Sequence, residues 1–276
     1  WEEGAVLANR QSGVYADASK VHLVKHKGPQ YQVQAMHLAE PSPQRTPLLY
    51  QAGSSARGSR FAATHAECVF LNGQSMPGVK AIVEGIRGQA VAQGRLASDI
   101  QVWMGATIIT AATDAQAQEK FEEYKRYASS ESALVHAAAS MGIDFSKYDI
   151  DEPIETGKSQ AIVSNVEAMT RTAGPQWTRR KLLSQMILGS RQAPWVGSAE
   201  TIAKQMIEWS SEADVDGFNL SRTVVPECFD DFIELVVPRL QEMGAYKTQY
   251  TPGTFRNKLF GRDKLPSTHI AATFRR

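Results

Sequence analysis

Cysteine is nearly missing from this chain: Cys68 and Cys228 are the two among 276 residues. Both lie in apolar runs, which excludes a disulfide scaffold and a cysteine-rich zinc site and fits a reducing, cytoplasmic compartment. Net charge is lacking too, since 30 Lys and Arg against 29 Asp and Glu leave +1. Neither nucleic acid nor an anionic membrane is expected as a partner of such a chain. No apolar run approaches the roughly 18 residues of a membrane span. The Gly-x-Ser-x-Gly, Walker and Gly-x-Gly-x-x-Gly patterns are absent. The opening residues, Trp1-Glu2-Glu3-Gly4, carry no secretory signal and read as a start inside a larger protein.

What is present is a strand–helix rhythm. Residues 1–47 are an irregular lead-in with short alternating pieces, closed by the prolines of Pro41-Ser42-Pro43-Gln44-Arg45-Thr46-Pro47. Strands are then predicted at Leu48–Gly53, Glu67–Leu71, Ile100–Ile109 and Asp216–Leu220. Helices are predicted at Ser54–Thr64, Val79–Gln93, Asp114–Tyr127 (capped by Asp114), Ala199–Ala213 (capped by Ser198) and Cys228–Met243. The last of these would turn Phe229, Phe232, Ile233, Val236, Val237 and Leu240 inward. Alternation at this spacing means βαβ units around a parallel sheet, with four strands making half of a (β/α)₈ barrel. The expected divisions are barrel units over 48–127, a helical insertion over 128–197, a last unit over 198–249 and an extended basic arm over 250–276. Within the insertion, helices are expected at Thr156–Ala173 and Trp177–Leu188.

One turn has the makings of an anion site. In Gln51-Ala52-Gly53-Ser54-Ser55-Ala56-Arg57-Gly58 a strand ends on glycine, and two serines open a helix. Hydroxyls and free amides at a positive helix terminus suit phosphate; a plain serine N-cap is the alternative. His136 stands alone in a small apolar helical run, either as an ordinary histidine or as a proton donor in an apolar pocket. His22 and His26, on a strand, would be some 13 Å apart at roughly 3.3 Å per residue, so no metal site is expected. The acidic groups Glu119, Glu122, Glu123 and Asp230, Asp231, Glu234 read as solvated helix faces, as does the charge run Arg179-Arg180-Lys181.

The run Glu40–Pro47, followed by Tyr50-Gln51-Ala52-Gly53-Ser54-Ser55 and Phe61–Phe70, resembles the flavin-dependent monooxygenases of the bacterial luciferase-like superfamily. The branch is that of nitrilotriacetate, dibenzothiophene-sulfone and long-chain alkane monooxygenases, with the last nearest in pattern. Asp144–Tyr148, Asp216–Leu220, Phe232–Pro238, Gly253–Gly261 and His269–Ala272 carry the resemblance through nearly the whole chain. It implies a (β/α)₈ barrel, of which this chain covers about the C-terminal half. It also implies reduced FMN as cofactor, O₂ as cosubstrate, a flavin reductase as partner, a homodimer, and an apolar or small organic substrate such as a long-chain alkane. A non-catalytic flavin-binding paralogue, or an oxygenase for an aminopolycarboxylate or sulfone, is the alternative. By the same resemblance Ser55 and Ser54 contact the FMN phosphate, with Gln51 and Gly53 in the same turn. His136 becomes an active-site group that hydrogen-bonds near the flavin edge, and Trp177, Met186 and Trp195 would line the pocket.

Overall fold

A computed structural model describes residues 1–53, 55–73, 75–154, 177–189 and 192–274. Ser54 and the helix expected at Thr156–Ala173 lie outside these residues. The chain divides into two compact units, one of Trp1–Leu48 with Thr251–Arg276, the other of Leu49–Tyr250.

The smaller unit holds two antiparallel hairpins. Strand β1 (Val6–Asn9) pairs with β2 (Val14–Ala16), and β3 (Val24–Lys27) pairs with β4 (Gln32–Ala35) from Val24 opposite Ala35 to Lys27 opposite Gln32. The proline-rich run that follows has few N–H groups to pair, so its carbonyls need outside donors. Arg256 supplies them. It is fully buried on a short helix, Phe255–Phe260, and its guanidinium donates to the carbonyls of Gln44, Thr46, Pro47 and Asp263. Where the sequence suggested an extended arm, the tail is thus tied back onto residues 44–47 of its own unit.

The larger unit is built on a parallel sheet, as the alternation requires. Strands β5 (Tyr50–Ala52), β6 (Cys68–Leu71) and β7 (Gln101–Ala111) pair in order, and β9 (Gly217–Ser221) pairs with β7 from Trp103–Gly217 to Thr107–Ser221. One strand was not foreseen. Strand β8 (Trp195–Ser198), placed by the sequence in the insertion, pairs with the far end of β7 at Ile108–Ala111. At four residues it is too short to show a period of its own.

Side chains alternate across the sheet. Val69, Leu71, Val102 and Met104 face α2 (Met76–Ala92) and pack on its Val79, Val83 and Ile86, forming the main core. On the opposite face Phe70 stacks on Tyr50 with ring centroids 5.1 Å apart. Helix α1 (Ala56–His65) connects β5 to β6, and α2 connects β6 to β7.

After β7 come α3 (Asp114–Arg126) and α4 (Ser130–Met141). Thr113, not Asp114, caps α3: its hydroxyl accepts from the Gln116 amide at 3.2 Å. Asp114, one residue on, accepts from the backbone N–H of Ser198 at 2.7 Å and so ties α3 to the start of α6 (Ala199–Glu212). Helix α5 (Arg179–Met186) packs Leu182 and Met186 against Leu134, Ala137 and Met141 of α4, with Trp177 and Phe145 between them. The expected final helix breaks into α7 (Glu227–Asp231), a π-helical turn at Phe232–Val236, and α8 (Val237–Glu242). Pro238 explains the break, because it has no N–H to give the carbonyl four residues back, and the backbone instead closes from the Val237 N–H to the Phe232 carbonyl. The wider turn rotates Ile233 outward to 59% exposure, against the inward position expected for it.

Candidate functional site

The anion turn is built by the end of β5 and the start of α1. Gly53 takes φ +117°, a region that disfavours any side chain and swings the chain out of the strand. Ser55 caps α1, its Oγ accepting from the Gly58 amide at 3.1 Å. A hydroxyl that accepts in this way still has its own hydrogen to give. The first-turn amides of a helix have no intrahelical acceptor, and the helix dipole makes that end positive.

Gly58, which sequence reasoning passed over, completes the turn. A Cβ at 58 would sit 3.1 Å from Ser55 Oγ and 3.4 Å from both Gln51 Nε2 and the Gly53 carbonyl. The signal was in the sequence: glycine three residues after the cap, where its amide must reach the cap hydroxyl. Gln51 folds its side chain into the same turn. Its Nε2 donates to the Ala52 carbonyl at 2.7 Å, and its Oε1 is buried without a partner among the described residues. The turn therefore brings Gln51, Gly53 and Ser55 together at the positive end of α1.

The far end of α1 is anchored as firmly. Arg95, 5% exposed, donates to the carbonyls of Ala63 at 2.7 Å, Ala66 at 2.8 Å and Asp99 at 3.0 Å. Behind the turn, Cys68 lies buried beside Tyr50 and Trp103, and burial pushes its thiol up to about 11. Burial thus favours the neutral thiol over the thiolate, which is the nucleophilic form.

His136 stands elsewhere, on α4. The buried face of that helix is Ala133, Leu134, Ala137 and Met141, and His136 lies on the exposed side with Val135. Of the expected wall residues, Trp177 and Met186 are core, and Trp195 is half-buried at the edge of the core. Trp177 and Met186 are sealed between α4 and α5, and Trp195 packs on Trp209 and Phe218, each with centroids 5.7 Å away. Their size drew them into the interior, where apolar burial is greatest.

Of the acidic groups read as solvated, one makes a tertiary bridge. Lys120 of α3 reaches Glu227, at 2.6 Å, and Asp231, both on α7. Glu227, with Lys120 as the main cause, is held below the usual carboxylate range.

In α/β barrel proteins, turns at the C-terminal ends of the strands, where this glycine–serine turn lies, are the ones that build ligand sites. The chain belongs to the luciferase-like monooxygenase family, which it matches over residues 19–216. It is 39% identical to dimethyl-sulfide monooxygenase of Hyphomicrobium sulfonivorans, with all of this chain and 58% of that protein covered. It is 40% identical to long-chain alkane monooxygenase of Geobacillus thermodenitrificans, covering all of this chain and 59% of the other. Among solved structures, a riboflavin lyase with modified FMN and riboflavin superposes at a TM-score of 0.88 and 35% identity, over all of this chain and 61% of that one. The chain thus spans about three-fifths of the length of the relatives it matches.

Proposed function

We propose that the protein is the oxygenating component of a two-component system. It takes reduced FMN from a separate flavin reductase and, with O₂, oxygenates a small apolar substrate such as a long-chain alkane. Membership of the family, joined to the Ser55 turn, carries this reading. The two relatives near 40% identity are named for dimethyl sulfide and long-chain alkanes, both apolar, while the nitrilotriacetate relative stands at 30%.

In this reading Ser55, Gly53, Gln51 and the first-turn amides of α1 hold the FMN phosphate, with Ser54 as a second hydroxyl. Bound flavin supplies the redox chemistry toward O₂. The chain's own task is to fix the flavin by its phosphate and keep water from the reacting edge. His136 is assigned a hydrogen bond at that edge. A homodimer in the cytoplasm completes the proposal.

The test is anaerobic titration of the protein with reduced FMN and, in parallel, with reduced riboflavin, which lacks the phosphate. FMN should bind saturably and at least about tenfold more tightly, the scale of one charge-assisted hydrogen bond. Equal binding of the two would remove the phosphate role of the turn, and binding of neither would overturn the flavin reading.

A further inference from the structure

We propose that a second recess of the larger unit binds a small organic cation with an apolar body, a primary alkylammonium. The recess lies between the C-terminal end of α3, the end of α5 and the turn after β9, with a volume of about 650 Å³. Pockets of this size hold small organic molecules.

Its wall divides by chemistry. Ile187, Leu188 and Val224 give an apolar side, and Tyr124 and Tyr127 add two aromatic rings. Its polar side carries Glu123 and Glu227, and among the described residues no lysine, arginine or histidine lines it. Lys120, the cation bound to Glu227, is shared with Asp231, so one positive charge faces two negative ones and leaves 1 − 2 = −1. Glu123 adds another negative charge at the wall. The hydroxyl of Thr223, also in the wall, is buried and has no partner among the described residues. A hydroxyl oxygen of this kind can accept from an ammonium N–H.

The parts define one ligand class. The carboxylates attract a positive head, a tyrosine ring beside it favours the same charge, and Thr223 selects a head that still carries hydrogens. The apolar side takes an alkyl chain. An anion of the same length would meet two carboxylates, with no further cation among the described lining residues to offset them. The proposal rests on this lining alone and is independent of the flavin site.

Isothermal titration of the purified protein with hexylammonium, hexanoate and 1-hexanol tests it. Hexylammonium should bind saturably and hexanoate should not, with hexanol at least about tenfold weaker than the amine, as loss of a charge-assisted contact requires. Val224→Trp fills the apolar side and should abolish binding. Glu227→Gln should weaken binding about tenfold, but it also touches the Lys120 bridge. Glu123→Gln, at an exposed carboxylate, is therefore the second variant and should weaken the amine about threefold with an unchanged urea midpoint. Equal binding of the amine and hexanol, binding of hexanoate, no binding of any probe, or unchanged affinity in both Gln variants would overturn the proposal.

Discussion

Replacing Arg95 by Met should cost the larger unit about 3 kcal/mol. Arg95 follows α2 and reaches across to the last turn of α1. The carbonyls of Ala63 and Ala66 there are among the four that a helix cannot satisfy itself. The guanidinium forks to both, at 2.7 and 2.8 Å, and adds the Asp99 carbonyl at 3.0 Å. Each buried group left unpaired costs about 1–3 kcal/mol, so three would give about 3–9.

Two effects bring this down. Met keeps the apolar stem packed, and the desolvation cost of a buried cation disappears with the charge. The lower end of the range, about 3 kcal/mol, is the expectation. Urea unfolding, monitored by tryptophan fluorescence, measures it as a shift of midpoint at constant slope. Arg95→Lys should recover less than half of the loss, because one ammonium cannot fork to carbonyls on both sides. A loss below about 1 kcal/mol for Met, or full recovery by Lys, would show that these carbonyls find other partners and that Arg95 is not what secures the end of α1.

Ser55→Ala should lower stability by about 1 kcal/mol, as loss of an N-cap does, and weaken reduced FMN at least about tenfold relative to riboflavin. Thr113→Ala removes the α3 cap at similar cost and should leave flavin affinity unchanged, which separates binding from capping. His136→Ala should release more hydrogen peroxide per flavin oxidised and less oxygenated product, with FMN affinity intact; unchanged coupling would remove His136 from the site. Glu200, held at about 2 by Arg239 and Lys204, has a folded pKa below its unfolded one. Its contribution is present above the unfolded value of 4.5 and is lost as pH falls toward 2. Glu200→Gln should therefore flatten the stability profile between those values and leave its shape near neutrality unchanged.

The order of strands and helices in the larger unit was legible because each element carries its own period and its own stop. Leu71-Asn72-Gly73 ends a strand, Ser198 opens a helix, and Val79, Val83 and Ile86 recur on one face; each does in the structure what its pattern demands. Misreadings fell where the cause is not local. Strand β8 exists because β7 runs on to Ala111 and offers a free edge, which four residues around Trp195 do not reveal. The rotation of Ile233 follows from Pro238, five residues away. The tail is tied back by Arg256 through carbonyls of residues more than 200 positions earlier, and a carbonyl leaves no mark in a side-chain pattern.

The same distinction governs how far function can be read. A strand-to-helix turn is local: strand end, glycine, serine, and an amide three residues on are neighbours in the chain, so the turn that holds Gln51, Gly53 and Ser55 could be placed from sequence. A substrate wall is not. Of the large apolar residues that the resemblance offered for it, Trp177 and Met186 went to the core and Trp195 to its edge, because burial of apolar area rewards any interior position equally and does not distinguish a pocket from a packing layer. What distinguishes a recess is the polar group left over in it. Thr223 without a partner among the described residues, and a second carboxylate on Lys120, are such remainders, and they become visible only when α3, α5 and α7 stand together. Identity near 40% to proteins named for two different apolar substrates fits this view, since wall residues drawn from distant segments can change one at a time.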